Sequence, residues 1–304
     1  MSASAIEMIN DIYYTLNDDN HTAYVTYRKA GKVGNVIYGS RSIYKGDVVI
    51  PSEISVNNQT YKVTAIEEQA FSNAELTSLT IPSTIDSLAS TAFSWCKSFE
   101  KLIINDLKAW CEIKGQSYNN PIRYAQYLYL GDEILTNINI PDGTTHLGDY
   151  SFYQYENLES VHIPSSLTTI GFSAFEGCTK LNEIIIPQSV EVINKYAFSD
   201  CNSLKTLHID SDSILGKEET GSSYLNSSLL YIFGNNIVEC YIGTNVKKIK
   251  AGAFYNFKQL AIVSMGDNVE CIGNSAFMNC SNLASIYISK SMKTIGFSAF
   301  HGCI

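Results

Sequence analysis

The chain has 304 residues, of which 45% are hydrophobic and 17% charged, and its formal net charge at pH 7 is −9. This acidic balance argues against nucleic acid as a partner, because neutralising phosphates requires clustered Lys and Arg. No apolar run approaches the roughly 20 residues of a membrane span, and the N-terminal stretch MSASAIEMIN has neither the basic nor the apolar region of a signal peptide.

The N-terminal region is predicted to be rich in strands. The stretch DIYYTLNDDNHTAYVTY alternates apolar and polar residues around a polar turn, and GDVVIPSEISVNNQTYKVTAI follows it with a second strand pattern. We predict that residues 1–47 form a β cap that closes the first edge of the fold, since an open strand edge invites pairing with other chains.

From residue 48 onwards the chain repeats one unit, of which LNEIIIPQSVEVINKYAFSDC (181–201) is a clear copy. A phenylalanine, preceded by Ala or once by Ser, marks each copy at spacings of 22–23 residues, with two longer gaps of 59 and 56 residues. A fixed period of this size indicates a solenoid, in which each unit buries its apolar face against the next. The marker positions are Phe71, Phe93, Phe152, Phe175, Phe198, Phe254, Phe277 and Phe300.

Fixed apolar positions around the marker predict two strands in each unit. Positions fourteen and twelve residues before the phenylalanine are apolar, as in Ile184 and Ile186, and this alternation indicates a strand with one buried face. Another apolar position lies five residues before the marker, as in Ile193, and predicts a second wall. A proline follows the first strand in four units and would end its ladder, because it lacks the N–H group.

This repeat resembles the leucine-rich repeats of the BspA-like (Treponema pallidum type) family. The matching pattern is Leu-x-x-Ile-x-Ile-Pro-x-Ser-Val-x-x-Ile-x-x-x-Ala-Phe-x-x-Cys, as at 181–201, and it covers about residues 48–304. The resemblance implies a mainly β leucine-rich-repeat solenoid with a parallel sheet along the stack and little helix. The sequence ends inside a unit, at AFHGCI, so we expect a further coil or a neighbouring molecule to cover the last ladder.

Two segments, 105–134 and 210–237, interrupt the repeat. Both end alike, in LYLGDEILTNINI (128–140) and LYIFGNNIVECYI (230–242), and each ending predicts an apolar-Tyr-apolar strand, a turn and the next repeat strand. We therefore expect the stack to continue through both segments. Their polar, Tyr-bearing middles are candidates for specificity, because loops on rigid scaffolds often carry it; the alternative is decoration without a role.

The cysteines and histidines do not form a recognisable catalytic or metal-binding pattern. Five of the eight cysteines lie three residues after the marker, a position that Ala74, Tyr155 and Phe257 fill in other units. We therefore interpret it as a packing position with free thiols. The sequence contains no C-x-x-C pair, so a zinc site is not expected. His162 and His208 occupy outward strand positions, separated by Ile185, and are predicted to be solvated strand residues too far apart to share a metal.

Charges alternate down the stack seven residues before the marker, at Lys247, Glu270 and Lys293. Opposite charges on adjacent strands stabilise the register by a few tenths of a kcal/mol. We interpret these residues as support for the register and not as a binding site.

The resemblance implies a non-enzymatic, cell-surface or secreted interaction protein of the adhesin type. We expect a monomer without cofactors that binds a protein or glycan through outward strand residues or the interrupting segments; a spacer without a ligand of its own is the alternative, and an enzyme is a third, weaker one. The candidate binding residues are Glu183, Ile185, His162, Glu239, Tyr241, Tyr287, Trp110, Tyr118, Tyr124 and Tyr224.

Overall fold

The computed structural model describes residues 6–27, 44–217 and 228–303. These residues form two compact units. Unit 1 comprises Met1–Leu135 and Gly148–Tyr155, and unit 2 comprises Thr136–Leu147 and Glu156–Ile304. Both are built from short strands, as the repeat predicts.

Unit 1 begins with a strand-rich N-terminal part. Strands β1, β2 and β3 form an antiparallel meander, and β3 pairs in parallel with β6. Because β6 also pairs with β8, the meander covers one edge of this ladder, although the boundary at residue 47 stays a prediction. The elements of this part are β1 (Ile6–Ile9), β2 (Ile12–Asn17), β3 (Thr22–Thr26), β4 (Lys45–Val49), β5 (Glu53–Val56), β6 (Gln59–Ile66), β7 (Glu75–Ile81) and β8 (Ser87–Leu88).

The rest of unit 1 extends a parallel sheet. Its strand order is β4-β7-β9-β10, with a short antiparallel strand, β11, at the end. Two short helices lie between the last two parallel strands. These elements are β9 (Phe99–Ile104), α1 (Leu107–Cys111), a 3-10 helix (Pro121–Arg123), β10 (Ala125–Leu130) and β11 (Glu133–Ile134).

Unit 2 has two walls of parallel ladders. The first strands of its coils form the ladders β12-β14 and β16-β18-β19-β21-β23, and the second strands form β13-β15-β17 and β20-β22-β24. Its elements are β12 (Asn137–Asn139), β13 (His146–Leu147), β14 (Ser160–His162), β15 (Thr169–Ile170), β16 (Glu183–Ile186), β17 (Val192–Ile193), β18 (Thr206–Ile209), α2 (Asp212–Leu215), α3 (Leu230–Phe233), β19 (Glu239–Ile242), β20 (Lys248–Ile249), β21 (Ile262–Met265), β22 (Cys271–Ile272), β23 (Ser285–Tyr287) and β24 (Thr294–Ile295).

The repeated phenylalanines fill the core between the walls. Phe175 and Phe198 stack with ring centroids 5.1 Å apart, and Phe254 and Phe277 stack at 5.0 Å. These separations match the spacing of about 4.8 Å between neighbouring strands, so each ring occupies one layer. The fold class predicted from the repeat is therefore confirmed.

The glycines that follow β22 and β24 allow neighbouring coils to approach closely. A Cβ atom on Gly273 would lie 2.5 Å from the backbone nitrogen of Ala251, and one on Gly296 would lie 2.5 Å from that of Asn274. A larger residue at Gly273 or Gly296 would force these coils apart.

Within unit 1 the parallel ladder extends into the first interrupting segment, and within unit 2 it continues across the second. Strand β10 pairs in parallel with β9, and β19 pairs directly with β18. The prediction of a strand at the start of 230–242 is wrong, however, because residues 230–233 form the helix α3. The reason is that Phe233 occupies the marker position of this longer coil and stacks on Phe198 at 5.3 Å, which favours a turn of helix at the corner.

Candidate binding surface

The outward side of the longest ladder in unit 2 brings residues from five coils into two adjacent rows. We call this surface the strand face. Because the register is continuous, the rows extend over about 19 Å at about 4.8 Å per strand. One row contains Ile185, His208, Tyr241, Ser264 and Tyr287, and the other contains Glu183, Thr206, Glu239, Ile262 and Ser285.

Four polar and aromatic side chains at the centre of the strand face hold one another in place. The rings of His208 and Tyr241 stack with centroids 4.7 Å apart and planes 14° from parallel. His208 Nε2 lies 2.8 Å from Glu183 Oε1, and the Tyr241 hydroxyl donates to Glu239 Oε2 at 2.8 Å. This hydrogen bond to Glu239, together with its negative charge, raises the pKa of Tyr241.

Apolar side chains lie on both sides of this network. Ile185 is 56% exposed, Tyr241 is 36% exposed, and Ile262 and Tyr287 are also exposed. Neighbouring exposed apolar residues rimmed by polar ones mark interaction surfaces more often than scattered ones do. The arrangement can therefore offer a partner both apolar contact and fixed hydrogen-bonding groups.

Five of the predicted binding residues come together on the strand face: Glu183, Ile185, Glu239, Tyr241 and Tyr287. His162 is exposed on the separate ladder β12-β14, in register with Asn139. Two residues of the face, His208 and Ile262, were not among the candidates. Their outward position in the repeat was readable, but the stacking of His208 on Tyr241 depends on the pairing of β18 with β19 across a long gap in the sequence.

The placement of Trp110 on an exposed loop is wrong. Trp110 is 1% exposed, and its Nε1 donates to the carbonyl oxygen of Ser151 at 3.0 Å. It lies on α1, whose other buried residues are Leu107 and Cys111. Burial of a large indole with its N–H satisfied stabilises the core of unit 1, so this residue cannot line a binding surface.

The remaining candidates from the interrupting segments have different outcomes. Tyr118 is exposed in unit 1, and Tyr124 is half-buried, with its hydroxyl donating to Asn119 Oδ1 at 3.2 Å. Tyr224 lies outside the described residues.

The cysteines at the repeat position have a structural role. The thiol of Cys201 donates to the carbonyl oxygen of Phe175 at 3.1 Å, and that of Cys280 donates to Phe254 in the same way. Burial raises the pKa of both thiols to about 12. All eight cysteines are free, and these contacts agree with the packing position predicted from the repeat.

Within the described ranges, no three His, Cys, Asp or Glu side chains are placed to hold a metal ion. None of the helices in these ranges is long and apolar enough to cross a membrane.

Comparisons with known proteins agree with the repeat geometry. The BspA type leucine rich repeat region matches residues 52–120, 123–232 and 223–304, in 6 copies. Among solved structures, a leucine rich cell surface protein from Faecalibacterium prausnitzii A2-165 is 27% identical, with a TM-score of 0.50, over 100% of this chain and 81% of that one. The pneumococcal vaccine antigen PcpA is 21% identical, with a TM-score of 0.48, over 99% and 74%. No curated protein matches the sequence.

Proposed function

Since the chain belongs to the BspA-type leucine-rich repeat family, we propose that it is a non-enzymatic, cell-surface or secreted interaction protein of the adhesin type that binds a protein through the strand face. The observation that carries this proposal is the network of Glu183, His208, Tyr241 and Glu239 beside exposed Ile185. Side chains that are already held together lose little freedom on binding, which favours affinity.

The chemistry of the strand face favours a partner with an apolar anchor flanked by basic groups. Tyrosine is enriched at the energetic centres of protein interfaces, and Tyr241 and Tyr287 are two strands apart in one row. The carboxylates of Glu183 and Glu239 lie in the other row, where Lys or Arg of a partner would complement them. Ser264, a small residue, lies between the two tyrosines in the same row.

A cell-surface location is supported by the similarity of this chain to a solved structure. The protein from Faecalibacterium prausnitzii that this chain resembles is described as a cell surface protein, and its fold extends over the whole of this chain. Surface display would place the strand face where a host or bacterial protein could reach it.

A spacer without a ligand is the competing function, and one observation bears on it. A spacer needs only solvated outward residues, whereas three large apolar side chains of the strand face, Ile185, Ile262 and Tyr287, are left exposed. Exposed apolar area at a repeated, solvent-facing position favours a binding role.

The test is a binding screen of the whole chain against immobilised host matrix proteins and glycans, followed by variants of the strand face. Combining Ile185→Ala with Tyr241→Ala should weaken binding to a protein hit by about a hundredfold, since two central contacts are lost. The matched control combines Val192→Ala with Tyr196→Ala, two exposed residues of the same type outside the strand face. Equal affinities for both double variants, or the absence of any protein hit, would contradict the proposal.

A further inference from the structure

A cleft in unit 1 is separate from the strand face. It opens on the outward side of the ladder β3-β6-β8, and Tyr24, Tyr27 and Asp86 are among the residues that line it. Its volume is about 750 Å³. Clefts of about 300–1,000 Å³ are typical of sites for small ligands, so we examined which ligand its chemistry would accept.

The register of the strands produces the shape of this cleft. Tyr24 pairs with Ala65, and Ala65 pairs with Ser87, so one outward row contains a large ring followed by two small side chains. The register shifts between Ala23 and Tyr24, which leaves Thr64 of β6 without a partner on β3. Small residues beside a ring leave a recess, and such irregularities in a ladder are frequent next to active sites.

Hydrogen bonds hold two of the lining side chains in place. Thr15 Oγ1 donates to Glu67 Oε2 at 3.0 Å. The hydroxyl of Tyr24 accepts from Asn17 Nδ2 at 3.3 Å and lies 3.1 Å from Thr22 Oγ1. Side chains that are already ordered lose little freedom when a ligand binds, which favours affinity.

The cleft is negatively charged. Glu67, Glu68 and Asp86 line it, whereas none of its described lining residues is Lys, Arg or His. Lys62 and Lys114 pair with strands of the same ladder, but both are exposed and neither lines the cleft. The three carboxylates form no ion pair within residues 6–27, 44–217 and 228–303. A cationic ligand would therefore meet negative charge that no side chain of these ranges neutralises.

The carboxylates are spread along the cleft. The backbone N–H of Asp86 donates to the carbonyl oxygen of Thr64 at 2.9 Å, so these two residues are level in the ladder. Glu67 lies three residues beyond Thr64, which is about 10 Å at about 3.3 Å per residue. No three acidic side chains in the described part of the chain are placed to hold one metal ion. The spacing favours a cation whose charges are distributed along a chain.

We propose that this cleft binds a linear polyamine, with ammonium groups paired with Glu67 and Asp86 and the methylene chain between them lying over the two small side chains of the recess. The rings of Tyr24 and Tyr27 add cation–π contacts to the ammonium groups. A single lysine side chain of a partner protein carries one ammonium group and would satisfy only one end of the cleft.

The experiment titrates the full chain with spermidine by calorimetry. Hexaamminecobalt(III) carries the same charge in a compact form, so it measures general attraction to an acidic chain of net charge −9. Trilysine presents its ammonium groups on a peptide and tests a basic protein segment as the occupant. We expect spermidine to bind at least about tenfold more tightly than either comparison probe.

Two kinds of variant separate the cleft from general electrostatic attraction. Glu67→Gln combined with Asp86→Asn should weaken spermidine binding by at least about tenfold. The matched control, Asp132→Asn combined with Glu133→Gln, removes the same charge from exposed residues of unit 1 outside the cleft and should keep full binding. Ser87→Leu fills the recess without changing the charge and should also weaken binding by about tenfold. Thermal midpoints verify that each variant folds.

Four results would overturn the proposal. The first is the absence of spermidine binding, and the second is equal binding of spermidine and hexaamminecobalt(III). Equal or tighter binding of trilysine would instead assign the cleft to a basic protein segment. The fourth is an equal loss of affinity in the two double variants, which decide the outcome alone if Ser87→Leu lowers the thermal midpoint.

Discussion

A regular coil of unit 2 and the irregular coil of unit 1 fill one layer of core in different ways. The regular coil, 181–201, uses two strands, the stacked ring of Phe198 and the buried thiol of Cys201. The irregular coil, 99–124, has no marker phenylalanine and uses α1 and a 3-10 helix in place of a second strand. In this chain the layer is the recurring unit of packing, and the residues that fill it differ between the two coils.

The irregular coil also depends on buried amides. Asn120 Nδ2 donates to Gln116 Oε1 and, at 3.1 Å, to the carbonyl oxygen of Tyr150, while Gln116 Nε2 donates to the carbonyl oxygen of Trp110 at 3.2 Å. Buried polar groups are costly when a partner is lost. This coil should therefore be sensitive to changes in hydrogen bonding, whereas the regular coil should be sensitive to changes in volume.

The largest loss of stability is expected for Phe198→Ala in the regular coil. Phe198 is fully buried and stacks on a ring at each side, so its removal leaves a cavity and should lower the free energy of unfolding by about 3–5 kcal/mol. Urea denaturation measures the loss. Tyr196→Ala, two residues earlier and 41% exposed, is the control and should change stability by less than about 1 kcal/mol. Similar losses for both variants would mean that the rings do not fill the layer.

A smaller effect is expected for Trp110→Phe in the irregular coil. The change keeps an aromatic ring but leaves the carbonyl oxygen of Ser151 without the N–H of Trp110, and this should cost about 1–3 kcal/mol. The same denaturation experiment measures it. Unchanged stability would show that this hydrogen bond does not anchor the coil.

A buried thiol in the regular coil should also make the protein less stable at alkaline pH. Burial raises the pKa of the Cys201 thiol from 9.0 to about 12. Below pH 9 the thiol is protonated in both the folded and the unfolded chain, so its burial contributes fully to the free energy of unfolding. Above pH 9 the thiol ionises first in the unfolded chain, so the free energy of unfolding falls by about 1.4 kcal/mol per pH unit for this thiol.

The variant Cys201→Ala removes this one contribution and should fall less steeply than the wild type as pH rises above about 9. The measurement is the midpoint of urea denaturation at several pH values, with Val192→Ala, at an exposed residue without a titratable group, as the control. Identical slopes for Cys201→Ala and wild type would contradict the burial of this thiol.

The smallest effect is expected for the ion pair between coils. Lys293 Nζ lies 2.7 Å from Glu270 Oε2, but both side chains are exposed, so Lys293→Met should cost only about 0.2–1 kcal/mol at low salt. Lys247→Met is the matched control, because Lys247 has the same repeat position and no ion pair among the described residues. A larger loss for the control would refute the proposed support of the register by this pair.

The regular coils could be predicted from the sequence because each residue has a repeated environment. Ile184, Ile193 and Phe198 are buried where their spacing places them, and Glu183 and Ile185 are outward. The same logic failed for Trp110, since a segment without a period gives no indication of which side faces the core. It failed for residues 230–233 because the marker phenylalanine of that coil, Phe233, is displaced from the regular spacing.

The binding surface could be predicted only in part. The outward positions follow from the spacing, but the stacking of His208 on Tyr241 joins residues 33 positions apart through a ladder that the sequence does not define.

The most direct test of the binding role is hydroxyl-radical footprinting of the whole chain with and without a partner from the binding screen. Oxidation reports the exposure of individual aromatic side chains. We predict that Tyr241 and Tyr287 are protected by the partner while Tyr196 and Phe297, which are exposed elsewhere in unit 2, are oxidised as before. Protection of Tyr196 or Phe297 with Tyr241 and Tyr287 unchanged would contradict recognition through the strand face.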